Sequence, residues 1–356
     1  MKRRCVRWAG HVGFPVVVLL LAETFLPACS SSPSARDNEI DNLSRRANAG
    51  DAQAMYEMGM RCQRDLDLAQ GRQWLVRAAG AGSAKAMDRL GDMYKAGSGG
   101  VARDYASALE WYRREADAGA AWGFIALGDC YSQGLGVPKD GTRVAEYYAR
   151  AFTAAQHDAQ RADPAAMDAL GNLYRRGLGV GQDYDLALIW CRKAADAGDP
   201  SAMHTMALFY ANGLGIEKDH AIAMIWNRKA AAAGSTGSMM NIGYCYEIGL
   251  GVDVDCNQAK AWFERAAASG ASLAMSHLGD MYMSGKLADK NYAQATIWFH
   301  RAADAGNPAA MRNIGTLYLN GWGTTCDLRE AQSWYRRAAN AGDMDAKRWL
   351  VEHSAL

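Results

Sequence analysis

The feature that most constrains this chain is a sequence pattern that recurs eight times. Most copies carry Leu/Ile-Gly-x-x-Tyr in the first half and an aromatic marker followed by Ala-Ala and Ala-Gly in the second half. The markers are Trp74, Trp111, Tyr147, Trp190, Trp226, Trp262, Trp298 and Trp334, and six of the seven gaps between them are 36 or 37 residues. A fixed period of this length predicts stacked structural repeats, which usually form binding surfaces rather than active sites.

Each repeat is predicted to contain two amphipathic helices. In the last full unit, apolar residues recur at helical spacing from Ala310 to Tyr318 and form one stripe. A glycine occupies the same position of the first helix in seven units, and the eighth unit carries Ala207 there. Because a glycine inside a helix costs roughly 1 kcal/mol relative to alanine, its repetition predicts a close approach between helices at this position. These glycines are Gly59, Gly91, Gly128, Gly171, Gly243, Gly279 and Gly315.

Residues with capping chemistry mark the helix ends. A further glycine follows the first helix in seven units and can adopt the left-handed conformation that ends a helix: Gly97, Gly134, Gly177, Gly213, Gly249, Gly285 and Gly321. Asp or Asn followed by Pro, as in Asp199-Pro200, places an N-cap acceptor before a proline suited to the first helical position. The units are therefore predicted to start near residues 52, 84, 121, 164, 200, 236, 272 and 308.

Two helices of about three turns cannot close a core alone, so each pair must pack against its neighbours. The predicted fold class is all-α: a right-handed α/α superhelix of about eight helix-turn-helix repeats over residues 44–343, with a C-terminal capping half-repeat at 344–356. The third unit is longer between Tyr148 and Asp163, which predicts a longer second helix. The markers are expected to pack between units, so Trp190→Ala or Trp262→Ala should cost about 3–5 kcal/mol.

The repeat resembles a known family. Ala166 to Val180 spells Ala-Met-x-x-Leu-Gly-x-x-Tyr-x-x-Gly-Leu-Gly-Val, and Ala187 to Gly198 spells Ala-x-x-Trp-x-x-Lys-Ala-Ala-x-Ala-Gly. These strings resemble the Sel-one-like repeat, a relative of the tetratricopeptide repeat, and the resemblance covers residues 52–343. It implies an α/α superhelix that acts as an adaptor or scaffold for other proteins.

The N-terminal residues have the features of an export signal. The first residues are basic, and the apolar run Phe14–Ala22 is too short to span a membrane comfortably. Leu26-Pro27-Ala28-Cys29 resembles the lipobox of bacterial lipoproteins. This resemblance implies that residues 1–28 are a signal peptide and that Cys29 is lipidated.

The same resemblance implies an anchor at the periplasmic face of the bacterial outer membrane. Residues 29–43 are then a tether that leads into the first helix, flexible over the Ser/Pro-rich stretch Ser30–Asp37. Two alternatives stay open, namely an uncleaved anchor and cleavage without lipidation, which would give a periplasmic or secreted protein.

Composition bears on partners and on redox state. Past residue 28 the chain holds 35 basic and 37 acidic residues, without the concentrated basic face of a nucleic-acid-binding protein, so no nucleic-acid partner is expected.

Cys130 and Cys245 occupy a position of the first helix that is apolar in other units, which favours the interpretation that they are small core side chains. Oxidation after export stays open, including a Cys245–Cys256 pair. The cysteines concerned are Cys62, Cys130, Cys191, Cys245, Cys256 and Cys326.

Signatures of catalysis are missing from the sequence. The Gly-Leu-Gly-Val loop recurs in several units, so it is interpreted as a connector and not as a phosphate site. Gly-x-Ser-x-Gly, Ser-x-x-Lys and the two-His zinc pattern do not occur. The chain is therefore predicted to be a non-enzyme without cofactor or metal. Two alternatives stay open: a cell-wall hydrolase or penicillin-binding protein of the same repeat family, and a secreted host-interaction factor.

The tetratricopeptide resemblance also implies where a partner would bind, because variable first-helix positions line the concave groove in that family. The residues carried over to this chain are Asp88, Asp92, Asp129, Asp168, Asn172, Arg175, His204, Tyr244 and Asp280. They predict an acidic, amide-bearing N-terminal part of the groove, which Arg175 and Arg176 partly offset. Apolar groove positions further along predict a more apolar C-terminal part: Leu208, Met240, Tyr244, Ile248, Met283 and Leu319.

The resulting hypothesis is a groove that grips a peptide or a helix of an unidentified envelope protein. Replacing Asp88, Asp92 and Asp129 by Ala or Lys is expected to weaken a basic partner without unfolding the chain. The alternative is that these are ordinary surface and inter-repeat packing residues.

Overall fold

The computed structural model describes residues 33–65, 67–286 and 290–353, and every regular element within these ranges is an α-helix. The chain divides into two compact parts, Met1–Asn42 and Leu43–Leu356. No helix in the described ranges is long and apolar enough to cross a membrane. The helices are α1 (Pro33–Asn48), α2 (Ala52–Arg64), α3 (Leu68–Gly80), α4 (Ala84–Ala96), α5 (Tyr105–Asp117), α6 (Ala121–Gln133), α7 (Gly141–Ala159), α8 (Pro164–Arg176), α9 (Tyr184–Asp196), α10 (Pro200–Asn212), α11 (His220–Ala232), α12 (Thr236–Ile248), α13 (Cys256–Ala268), α14 (Ser272–Ser284), α15 (Tyr292–Asp304), α16 (Pro308–Asn320), α17 (Leu328–Asn340) and α18 (Met344–Glu352).

Helices α2 to α17 form eight consecutive pairs, called units 1 to 8, and each pair packs against the next. The first helices of the units begin at Ala52, Ala84, Ala121, Pro164, Pro200, Thr236, Ser272 and Pro308. Because no pair encloses a core of its own, the buried side chains form clusters that run across several units. The predicted all-α solenoid of about eight repeats is confirmed.

The predicted helix ends are also confirmed. The first helices of units 2 to 8 all end at a glycine in the left-handed conformation, with φ of 70° at Gly97 and 66° at Gly321. The Asp/Asn-Pro starts form the expected caps, since the Asp199 carboxylate accepts the Ala202 N–H at 2.9 Å and the Asn307 side-chain oxygen accepts the Ala310 N–H at 2.9 Å. Local sequence therefore determines where these helices stop and start.

The predicted close approach at the repeated glycine of the first helix is confirmed, and the structure shows that the approaching helix is the second helix of the same unit. A Cβ atom at Gly243 would lie 2.6 Å from the Phe263 ring, and one at Gly279 would lie 2.5 Å from the Phe299 ring. In each case the contacting side chain is the residue that follows the marker aromatic. Where the glycine is replaced by Ala207, the residue after the marker is the smaller Asn227.

The prediction for the marker aromatics is wrong in part. Trp190 and Trp262 are only half-buried, whereas the next residue, such as Phe263, is fully buried. In seven units a basic side chain three positions after the marker lies over its ring, at centroid distances of 3.9 to 4.8 Å, as Arg265 does over Trp262. The large loss of folding stability that the sequence predicts for Trp262→Ala is therefore expected for Phe263→Ala instead.

Three departures from the regular unit occur. The second helix of unit 3, α7, has 19 residues against 13 in the others, as its extra sequence predicted. Helix α18 caps the last unit, with Trp349 stacked on Tyr335 at 4.1 Å between ring centroids. Helix α1 begins at Pro33, so residues 33–37 are helical and not part of a flexible tether, because Pro33 takes the first helical position and helix-compatible residues follow. Residues 1–32, including the predicted signal peptide and Cys29, lie outside the described residues.

Within Leu43–Leu356, units five repeats apart touch each other. A Cβ atom at Gly306, in the turn between α15 and α16, would meet the backbone carbonyl of Gly97 at the end of α4. Similarly, a Cβ atom at Gly270 would lie 3.6 Å from the backbone carbonyl oxygen of Gln63 in α2. The solenoid therefore returns onto its own first units.

Candidate functional site

The main candidate site is a pocket of about 350 Å³ on the first helices of units 2 to 5, which we call the acidic pocket. Four of its lining residues, Asp88, Asp92, Asp129 and Asp168, belong to the predicted acidic part of the groove. Three cationic side chains and one tryptophan also line it. The full lining is Lys85, Asp88, Asp92, Lys95, Trp122, Ile125, Ala126, Asp129, Ala165, Asp168, Arg176, Asp199 and Ser201.

Two of the predicted carboxylates are fully engaged within the protein. Asp92 accepts the Tyr112 hydroxyl at 2.7 Å and the Lys95 ammonium at 2.6 Å. Asp129 accepts the Tyr148 hydroxyl at 2.7 Å and the Arg176 guanidinium at 2.6 Å. Both carboxylates thus anchor a buried tyrosine of the second helix, so Asp92→Ala and Asp129→Ala would also destabilise the fold, contrary to the expectation from sequence.

The other two carboxylates have no ionic partner among the described residues. Asp168 is 1% exposed, and its Oδ1 atom has no hydrogen-bond partner within the described ranges. Burial raises the pKa of Asp168 to about 7, opposed by a hydrogen bond from Ser201. Burial and then the charge of Asp92 raise the pKa of Asp88. The pocket therefore contains two carboxyl groups without an ion-pair partner among the described residues, and burial outweighs the nearby charges of Lys95, Arg89 and Arg175 that favour their charged forms.

A fifth acidic residue, Glu115, lies in a smaller adjoining cavity of about 140 Å³ that also contacts Asp88 and Trp122. It is 2% exposed, and its Oε2 atom has no hydrogen-bond partner among the described residues. Burial, followed by the charges of Asp88 and Asp92, raises the pKa of Glu115. Sequence reasoning missed this residue although a signal exists: the equivalent position is alanine in the other seven units.

The remaining predicted residues lie apart from the acidic pocket. Asn172 and Arg175 are half-buried, and each has one polar atom without a partner in the described ranges, but it is Arg176 that lines the pocket. The Nδ1 atom of His204 lies 2.8 Å from the Ser238 hydroxyl, and burial lowers the pKa of His204.

Two predicted residues belong to the C-terminal units. Tyr244 is 37% exposed, and its ring packs edge-on against Phe263 and His277. Asp280 accepts a hydrogen bond from Asn313 Nδ2 at 3.0 Å, and burial raises the pKa of its carboxyl group. These two side chains do not join the four aspartates in one site.

The predicted apolar part of the groove needs a correction. Met240 is buried, and it lines a cleft of about 330 Å³ together with Met60 and Gln63 of unit 1. Its apolar character is explained by the return of the solenoid onto its first unit. Ile125, Asp168 and Ser276, at positions equivalent to Met240, are likewise buried and not solvent-facing.

The cysteines and the potential metal ligands form no further site among the described residues. All six cysteines in the described residues are free thiols, with Cys130 and Cys191 buried and Cys326 exposed. No group of three or more His, Cys, Asp or Glu side chains that could hold a metal ion occurs in the described ranges.

Comparison with known proteins identifies the repeat. The Sel1 repeat model matches residues 48–83, 84–119, 125–154, 164–199, 200–235, 237–270, 272–307 and 308–343. A solved Sel1 repeat protein from Oxalobacter formigenes is 30% identical, covers 88% of this chain and 90% of its own, and superposes with a TM-score of 0.50. No curated protein matches the chain.

A second similar structure is c5321, a protective antigen of uropathogenic Escherichia coli with the same type of repeat. It is 31% identical with a TM-score of 0.47, and the match covers 86% of this chain but only 65% of the c5321 chain. The immunity protein Pa5087 from Pseudomonas aeruginosa is similar over 55% of this chain and 75% of its own, at 22% identity and a TM-score of 0.40. The eight matched repeats and the Oxalobacter relative together show that the chain belongs to the Sel1 repeat family, whose members are protein-interaction scaffolds.

Proposed function

We propose that this chain is an interaction scaffold of the bacterial cell envelope that holds a peptide or helix of a partner protein against the first helices of units 2 to 5. The observation that carries the proposal is the acidic pocket, because it places the buried Asp168 carboxyl group, whose Oδ1 atom has no hydrogen-bond partner among the described residues, in a cavity open to a partner. The volume of the pocket falls at the lower end of the usual range for ligand sites, roughly 300–1,000 Å³. Membership of a scaffold family supports the same proposal.

Site-specific photo-crosslinking in the native host tests where the partner binds. A photoreactive amino acid replaces Lys85, an exposed residue at the rim of the pocket, and in a matched control it replaces Arg336, an exposed residue of α17. A discrete adduct at position 85 that is absent at position 336 is expected. The same adducts at both positions, or none at either, would reject the proposed binding face.

The envelope location is proposed from the sequence of the N-terminus. Lipidation of Cys29 would anchor the chain to the periplasmic face of the outer membrane. Metabolic labelling with palmitate should mark the wild type and not Cys29→Ala. A wild type that takes up no label would reject lipidation and leave two alternatives, an uncleaved anchor and a periplasmic or secreted protein.

Absence of catalysis is proposed as well, since the Sel1 repeat family is generally a non-catalytic scaffold. The purified chain is expected not to react covalently with a fluorescent β-lactam and not to release fragments from peptidoglycan. Stoichiometric labelling, or release that scales with enzyme concentration, would favour the cell-wall alternative.

A further inference from the structure

Two neighbouring departures from the repeat create the buried carboxyl group beside the acidic pocket. Glu115 occupies a position that is a fully buried alanine in the other seven units: Ala78, Ala151, Ala194, Ala230, Ala266, Ala302 and Ala338. It faces Gly123 in the first helix of unit 3, where a Cβ atom would lie 2.5 Å from the Ala116 backbone nitrogen and 2.9 Å from the Glu115 Cβ. The position of Gly123 is alanine in six of the eight units. Gly123 therefore allows α6 to approach the backbone of α5 closely at Glu115.

A buried carboxyl group in place of alanine costs stability unless a partner compensates it. Within the described residues, Glu115 Oε2 and Asp168 Oδ1 both lack a hydrogen-bond partner, and Asp88 forms no ion pair. Two of the three cations at the pocket are paired with other carboxylates, Lys95 with Asp92 and Arg176 with Asp129, and the third, Lys85, is exposed at the rim. No cation of the described residues forms an ion pair with Asp88, Glu115 or Asp168, so a cationic side chain of a partner can supply the missing contacts.

We infer that the acidic pocket binds one lysine or arginine side chain of the partner, inserted past Trp122 between Asp88, Glu115 and Asp168. This inference rests on the proposed scaffold function and names the chemistry that the scaffold recognises. The half-buried Trp122 ring lines both cavities and offers a face to the cation. A cationic side chain supplies donors to the carboxyl oxygens that lack them.

Binding of a cation to this site is coupled to proton release. Asp168 has a pKa near 7, and the pKa values of Asp88 and Glu115 are raised as well, so the free pocket retains protons that a bound cation displaces. Affinity should therefore increase from pH 6 to pH 8, by about tenfold for each carboxyl group that loses its proton over this range.

The titratable, charged and hydrogen-bonding groups that face these carboxyls are Lys85, Arg89, Asp92 and Lys95 of α4, Tyr112 of α5, Asp129 and Cys130 of α6, Asp158 of α7, Asp163 before α8, Arg175 and Arg176 of α8, Cys191 of α9, Asp199 before α10 and Ser201 of α10.

The test uses two small probes that differ only in the charged group, Nα-acetyl-lysine amide and Nα-acetyl-norleucine amide. Binding to the full chain labelled with ¹⁵N-tryptophan is followed through the indole signal of Trp122, which is assigned by its loss in Trp122→Phe. The lysine probe should shift this signal with a Kd on the order of 1 mM, given the small number of atoms in contact, and more tightly at pH 8 than at pH 6. The norleucine probe should not shift it.

Three variants complete the test. Glu115→Ala restores the residue of the other seven units and should fold, and Asp168→Asn keeps the shape of the side chain. Each should weaken the lysine probe at least about tenfold. Asp117→Asn, at an exposed position of the same helix as Glu115, should leave its Kd unchanged.

Equal shifts with both probes, or an unchanged Kd in Glu115→Ala and Asp168→Asn, would overturn the inference. The scaffold proposal fails on separate evidence, namely the crosslinking result at position 85. An adduct there without a lysine-dependent shift rejects the cation pocket alone. A lysine-dependent shift without any adduct rejects the partner-binding face while leaving the cation site in place.

Discussion

At the scale of single residues, the acidic pocket depends on a carboxylate that stands at a buried position of the repeat. Asp168 follows the Met slot of the first helix, a position where the chain elsewhere places Ile125, Met240 or Ser276, all buried. Its burial between neighbouring units therefore comes from the repeat, while its carboxyl group does not suit that environment. The pKa near 7 is the consequence, because burial disfavours the charged form.

Asp168 should make the free protein less stable as the pH rises. The native carboxyl group keeps its proton up to a pH of about 7, whereas the unfolded chain loses it near 3.8. Stability therefore falls as the pH rises between these values and is level above about 7. From pH 5 to pH 8 this group removes roughly 2–3 kcal/mol of unfolding free energy, which Asp168→Asn should recover.

Urea unfolding of the wild type and Asp168→Asn at pH 5 and pH 8 checks this prediction. Asp117→Asn, which changes an exposed carboxylate, serves as the control and should follow the wild type. Parallel pH dependence in the wild type and Asp168→Asn would contradict the raised pKa.

At the scale of the helix, five of the second helices carry two aromatic residues in succession, and in unit 6 the two rings have different surroundings. Successive residues of a helix point about 100° apart, so both cannot face the same neighbour. Phe263 packs against Gly243 of the paired helix and is fully buried, whereas Trp262 is half-buried beneath the Arg265 guanidinium. The aromatic that marks the repeat most visibly is therefore not the one that fills the core.

Phe263→Ala should accordingly cost more than Trp262→Ala. Removal of a fully buried phenylalanine typically costs about 3–5 kcal/mol, since it loses apolar contacts and leaves a cavity against Gly243. Trp262→Ala loses only part of its buried area and one cation–π contact of about 0.5–1 kcal/mol. Chemical denaturation of both variants measures the difference, and an equal or larger loss for Trp262→Ala would show that the marker fills the core after all.

At the scale of the whole solenoid, contacts between units five repeats apart hold distant units together in a way that contacts between neighbouring units do not. The turn residue Gly306 lies against the backbone of Gly97, whereas its counterpart Gly234 has no atom near the place of a Cβ. Both glycines have similar positive φ angles, 88° and 93°. A comparison of alanine substitutions at Gly306 and Gly234 therefore distinguishes the backbone strain of the turn, which both share, from the contact between distant units, which only Gly306 makes.

Gly306→Ala should open the contact between units 2 and 7, and Gly234→Ala should not. Both variants bear the same backbone strain of about 1–2 kcal/mol, because a Cβ is disfavoured at positive φ. Only Gly306→Ala adds a clash with the Gly97 carbonyl. A larger radius of gyration by small-angle X-ray scattering, and faster proteolysis of the loop at 97–103, are expected for Gly306→Ala alone; identical behaviour of the two variants would argue against a structural role for this contact.

The location of the apolar groove residues follows from the same contact. Met240 was expected to mark a partner surface, but unit 1 covers it. The sequence of a single unit does not show whether a distant unit will cover it, because the path of a solenoid is the sum of small rotations between successive units. The exposed Tyr244 and Ile248 are what remains of the apolar surface predicted on α12.

The amino-acid sequence by itself determined the features that depend on neighbours within one or two helical turns. The 36-residue period, the helix starts, the glycine caps such as Gly97 and the close helix pairing at Gly243 all follow from local chemistry that repeats eight times. Glu115 was also visible in principle, as a carboxylate in an alanine position. Only the tertiary structure decided which carboxylates find a cation, that Asp92 and Asp129 do and Asp168 does not, because that depends on side chains brought together from several units. It also decided which groove residues the returning solenoid buries, since contacts across six units accumulate from rotations that no single repeat encodes.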